Sequence, residues 1–180
     1  MPWTGIKTSQ GERLAFKQDA TMGCAIACVA TIKNWYKGWH RPSEDVESEI
    51  SGQLEKGNMT VKQDNASTNG VGSLTTARLL LSSTALDTEP LEDLKEDGLA
   101  KAMKNASPES VLFLGVAWKT GGKHVVMCLG PDANNPDKVS IYDPGDGLVH
   151  SHKVGEPYQN SGGVPGTIEA NAFVVHNSTF

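Results

Sequence analysis

The sequence predicts an α+β fold: a helical first half followed by an antiparallel sheet. Two observations carry this. Apolar residues recur at helical spacing between Cys24 and Met103, whereas β-branched and aromatic runs bounded by Gly, Pro and Asp turns dominate from Val111 onward. Helices first and strands later is the order of an α+β chain.

Residues 24–36 (CAIACVATIKNWY) read as the first helix, with Cys24, Cys28, Thr31 and Trp35 along one face and Gly38 as its stop. Pro42-Ser43-Glu44-Asp45 opens a second helix, with acids in its first turn, that runs to about Lys56. Residues 57–72 are polar and rich in Asn and Gly, and read as a loop. Ser73 caps a third helix over 74–81, and 91–103 reads as a fourth, weakened by Gly98. Strands are expected at 111–118, 124–129, 139–142 and 172–176. A Gly121-Gly122 turn separates the first pair, a loop with Pro131 and Pro136 the second, and Asp143-Pro144-Gly145 closes the third strand.

Composition narrows the function. There are 16 Lys and Arg against 21 Asp and Glu, a net charge of −5, which argues against a nucleic-acid surface. The longest apolar run, VLFLGVAW, falls far short of the ~18 residues of a spanning helix, and residues 1–13, with no apolar stretch after a basic start, are not expected to act as a signal peptide. No membrane partner is expected, and a cytoplasmic location is. The 3 cysteines, Cys24, Cys28 and Cys128, are too few for a disulfide framework and read as reduced thiols.

Cys24 stands at the first turn of its helix, after Gly23. The unpaired N–H groups and the positive dipole end there favour a thiolate. A small buried hydrophobe is the other reading, and position alone leaves both open. His124 follows the Gly-Gly turn at a strand start, where an imidazole can act as general base and acid toward a thiol. If the strands at 124–129 and 139–142 pair antiparallel, Asp143 lies beside His124 and can fix its tautomer. Asp146, inside the turn, is a weaker competitor for that place. Gln18 precedes Cys24 in the loop and can donate to an oxyanion together with the Cys24 N–H.

Taken in order, these residues resemble the papain-like cysteine peptidases. The match is carried by QDATMGCAIAC, GGKHVVMCLG and VSIYDPGDG, and covers about residues 17–147. Within that superfamily the chain is most similar to the C39-like, double-glycine branch, from which it departs at Ala25, where the exporter peptidases usually have Gly. The resemblance implies a two-lobed papain-like fold in a single domain, 1–180, with a helical lobe at about 18–105 and a β lobe at about 110–180. It implies Cys24 as nucleophile, His124 as base, Asp143 as orienter and Gln18 as oxyanion donor. Trp118 and Gly122 would line the substrate cleft.

The implied function is a cysteine endopeptidase acting on protein or peptide substrates, cutting after Gly-Gly if specificity follows the branch. A free-standing acidic domain of this kind looks like a bacterial effector or toxin, delivered into a target cell and matched by a cognate inhibitor or immunity protein. Glutamine deamidases and acyltransferases share the chemistry and form the first alternative. A groove that only binds peptides is the second. None of these needs a metal or organic cofactor, and Cys24-x3-Cys28 lacks the second half of a zinc site. Gly162-Gly163 raises self-cleavage as a further question, against the plainer reading of a flexible loop.

Overall fold

The computed structural model describes residues 2–19, 23–56, 73–82, 84, 86–92 and 94–177. The expected loop at 57–72 lies outside them. The chain opens with a hairpin, β1 (Trp3–Thr8) and β2 (Gly11–Phe16), then forms three helices: α1 (Cys24–Lys37), α2 (Ser43–Lys56) and α3 (Ser73–Ser82). Strand β3 (Asp87–Leu91) and helix α4 (Glu96–Asn105) follow. The chain ends in β4 (Ser110–Trp118), β5 (Lys123–Asp132), β6 (Asn135–Asp143), β7 (Leu148–Lys153) and β8 (Gly166–His176). Six strands form one antiparallel sheet in the order β3-β8-β4-β5-β6-β7.

Strand β4 shows why the second half is so apolar. Its side chains alternate between two cores, as the period of two requires. Val111 and Phe113 face the layer of α1 to α3, where Phe113 stacks on Phe173 at 4.7 Å. Leu112, Leu114 and Val116 face the opposite side, with Met103 of α4 and Tyr158. A strand covered on both faces reads as a continuous apolar run rather than an alternating one.

Helix α1 is the axis of the first layer. The face of Cys24, Cys28 and Thr31 is only part of what is covered: every residue from Cys24 to Lys33 is buried. It packs against β2, α2, α3 and β5 at once. Small residues on all sides (Ala25, Ala27, Cys28, Ala30) let those neighbours approach. Its end is set by Gly38 in the left-handed conformation, φ 65°. Tyr36 ties the helix to the sheet, its hydroxyl donating to the Pro108 carbonyl at 2.9 Å and accepting from the Val111 N–H at 3.3 Å.

The structure departs from the sequence reading in several places. The hairpin β1–β2 stands where no element is expected. It docks on α1 through Phe16 N–H to Thr31 Oγ1 (2.9 Å) and Trp35 Nε1 to the Leu14 carbonyl (2.7 Å). Strand β3, between the expected third and fourth helices where no element is expected, is an edge of the sheet, and α4 starts later than expected, at Glu96. The loop expected around Pro131 and Pro136 is almost absent, because β5 and β6 run through both prolines to a tight turn. Strand β7 was not expected, and β8 begins at Gly166 rather than 172. Among the described residues no helix is long and apolar enough to cross a membrane.

Candidate active site

The site forms where the start of α1 meets the ends of β5 and β6. Cys24 is the first residue of α1, which has no acid in its first turn and no side-chain cap. The positive end of the helix therefore bears on the thiol unopposed. Cys24 is 1% exposed. The other two thiols are different: burial pushes Cys28 well up, with the charges of Cys24 and Asp143 adding to it, and pushes Cys128 up to about 12. Both stay protonated and inert at neutral pH.

His124 enters from β5, just past the Gly121-Gly122 turn, in which both glycines have positive φ (99° and 90°). Asp143 closes β6. The antiparallel register, Met127 opposite Tyr142 and Cys128 opposite Ile141, carries the start of β5 past the end of β6. His124 Nε2 and Asp143 Oδ1 are 2.6 Å apart. Burial alone would push His124 down. Hydrogen bonds to Asp143 and Cys24, and the charges of both, outweigh it and hold its pKa at about 10. Burial likewise works against the Asp143 carboxylate, but hydrogen bonds and the charge of His124 leave it below the ordinary range. Both shifts favour an imidazolium on a carboxylate. With Nε2 committed to Asp143, Nδ1 is the nitrogen that serves the thiol.

Gln18 reaches the same place through its backbone, whose N–H donates to the Pro144 carbonyl at 2.9 Å. It lines a cavity of about 270 Å³ together with Trp118, Gly122, His124, Gly145 and Asn160. Both expected cleft residues, Trp118 and Gly122, are thus on its wall. Asp146 instead pairs with His150 at 2.6 Å and accepts the Ser161 N–H at 3.0 Å, away from His124. A larger cavity of about 370 Å³ lies between α4 and the chain around Glu156, and shares no residue with this site.

Two site residues escape the sequence reading. Tyr158 Oη donates to Asp143 Oδ2 at 2.7 Å, and Asn160 Nδ2 donates to the same oxygen at 3.1 Å. Asn160 lies in the Gly- and Pro-rich segment whose plainer reading is a flexible loop, and Tyr158 stands just before that segment. The available signal is Tyr158 itself, an aromatic among Gly and Pro residues, since a buried tyrosine needs a hydroxyl partner. Gly162 and Gly163 are tied back into this loop: the Gly162 N–H donates to Asn160 Oδ1 at 2.9 Å and the Gly163 N–H to the Asn160 carbonyl at 3.1 Å. Among the described residues no cluster of three His, Cys, Asp or Glu is placed to hold a metal ion.

A helix-borne thiol bonded to an imidazole that a carboxylate orients is the arrangement of thiol hydrolases. Residues 8–159 match the family described as papain-like cysteine protease AvrRpt2, and the chain belongs to that family. By that membership it is a cysteine protease, a hydrolase of papain-like class. The C39-like branch suggested by the motifs is not the family matched. No curated protein matches the chain. Among solved structures, the crystal structure of the Pseudomonas avirulence protein AvrPphB is similar, over 84% of this chain and 89% of that one, with 6% identity and a TM-score of 0.34.

Proposed function

We propose that the chain is an endopeptidase in which the Cys24 thiolate attacks the scissile carbonyl. The observation that carries the reading is His124, bonded to Asp143 on one side and to Cys24 on the other. The imidazolium stabilises the thiolate before attack. It then gives its proton to the leaving amine, and the neutral ring activates the water that releases the acyl group. Asp143 keeps the ring in one orientation and supports its charge. Gln18 and the Cys24 backbone N–H would receive the oxyanion. Trp118 and Gly122 would hold the substrate at the 270 Å³ cavity.

The proposal extends to a bacterial effector or toxin working in the cytoplasm of a target cell on a protein substrate. Three buried cysteines, all outside disulfides, suit a reducing compartment, where the thiol stays active. Cleavage after Gly-Gly is the specificity to test first, and an inhibitor protein of the producing cell would plug the same cavity.

The test is a mass-spectrometric survey of a cell lysate incubated under reducing conditions with the wild-type protein or with Cys24→Ala. New N-termini with the wild type alone are expected, and the residues before the cuts read out the subsites. Gln-to-Glu conversion without new termini would replace the endopeptidase reading with a deamidase on the same thiol. Equal cleavage by Cys24→Ala would overturn Cys24 as nucleophile.

A further inference from the structure

Asp143 is fully buried, at 0% exposure, yet charged. A buried carboxylate is costly unless its lone pairs are filled. Here all four are. Oδ1 accepts from His124 Nε2 (2.6 Å) and from the Gly145 N–H (2.8 Å), while Oδ2 accepts from Tyr158 Oη (2.7 Å) and Asn160 Nδ2 (3.1 Å). One oxygen faces the imidazole, and the other is held entirely by the segment between β7 and β8.

That segment is itself anchored. The Tyr158 N–H donates to the Gly166 carbonyl at 2.9 Å, and the Gly166 N–H returns the bond to Tyr158 at 2.8 Å. The Tyr158 ring is fully buried beside Trp118, at 6.1 Å between centroids, and His152, at 5.8 Å. Asn160 cannot flip freely, because its Oδ1 accepts the Gly162 N–H and so directs Nδ2 at Asp143. Asn160 also lines the cavity, so it joins the carboxylate to the cleft wall.

We infer that Tyr158 and Asn160 are positioning residues for the protease reaction, clamping Oδ2 of Asp143 so that Oδ1 stays on His124 and the thiolate–imidazolium pair persists at mildly acidic pH. The inference rests on the reading of Asp143 as the orienter of His124. Without the Tyr158 hydroxyl, Oδ2 keeps only the longer Asn160 bond. The carboxylate gains freedom to turn from the ring, and the pair collapses toward neutral thiol and neutral imidazole.

The test needs no substrate. Iodoacetamide alkylation of Cys24 is followed from about pH 6 to about pH 10, a window that spans the ordinary histidine and thiol ranges. The modified cysteine is located by peptide mass, with Cys24→Ala as blank. In Tyr158→Phe, which keeps the buried ring, the rate at about pH 6 is expected to fall roughly tenfold, one pKa unit of pair stability. Near pH 10, where a thiol ionises unaided, it should stay within about twofold. Asn160→Ala should fall in the same direction by less. A wild-type profile in Tyr158→Phe beside a depressed one in Asp143→Ala overturns the clamp and leaves the reading of Asp143 standing. An unchanged profile in Asp143→Ala overturns that reading and the clamp with it. An equal loss at every pH, with a lowered melting temperature, assigns Tyr158 to packing alone and also overturns the clamp.

Discussion

The indole of Trp118 stacks on the imidazole of His124, with centroids 5.4 Å apart and planes 29° from parallel. The turn between β4 and β5 makes this possible. The Trp118 N–H donates to the Gly122 carbonyl (3.1 Å) and the Gly121 N–H to the Trp118 carbonyl (3.0 Å), so the chain folds back and sets the two rings face to face. Gly166 passes beneath, where a Cβ would come within 2.8 Å of the indole Cε3.

This cover keeps water from one face of the imidazolium and so strengthens its bond to Asp143. Trp118→Ala should therefore lower kcat/KM about tenfold on a peptide found in the lysate survey, and Trp118→Phe should recover most of it. Equal activity in the alanine variant would remove the indole from the reaction.

Gly145 lies close to the same ring. A Cβ there would stand 3.0 Å from Asp143 Oδ1 and 3.6 Å from His124 Cε1 and Nε2. Gly145→Ala is expected to cut activity at least about tenfold while costing no more than ~1 kcal/mol of stability, because the crowding falls on the imidazole–carboxylate contact. Activity and urea midpoint measured together check this, and a stable, fully active variant would refute it.

The titration of His124 makes stability depend on pH. Its folded pKa, about 10, lies above the ordinary value near 6.5. The protein binds that proton more tightly folded than unfolded. The contribution is complete below about pH 6.5 and is lost as pH rises through about 10. Asp143 is shifted the other way, so its contribution is present above the ordinary aspartate range and lost on acidification. Urea unfolding between neutral pH and about pH 10 should show falling stability in the wild type and a shallower fall in His124→Gln. Parallel slopes would contradict the raised value.

Tyr36→Phe tests the tie between α1 and the sheet. Removing the hydroxyl takes away the acceptor of the buried Val111 N–H. A loss of about 1–3 kcal/mol is expected in chemical denaturation. A neutral change would mean that Val111 finds another partner.

The Gly162-Gly163 pair should survive in the folded protein. It sits in a turn pinned to Asn160, with Gly163 at φ 76°, rather than in the extended form a protease cleft receives. Intact mass is expected to stay constant on long incubation at neutral pH, and a fragment ending at Gly162 or Gly163 would show otherwise.

Local patterns determine much of this protein from the sequence alone. The ends of α1 and α2 follow from Gly23, Gly38 and the Ser43 acidic start, because caps and first-turn charges act within one helical turn. The α+β order follows from helical spacing in the first half and from β-branched, aromatic runs between turns in the second. The contact of His124 with Asp143 is legible as well, since antiparallel neighbours joined by a short turn fix which strand end meets which. Tertiary structure alone decides what covers these elements. Periodicity says that a face is buried but not by what. Nothing local therefore brings the β1–β2 hairpin onto Thr31 and Trp35, turns residues 87–91 into a sheet edge, or carries Tyr158 and Asn160 back to the second oxygen of Asp143. Those contacts come from distant or irregular stretches of chain, and only the closed fold, with a buried charge to satisfy, selects them.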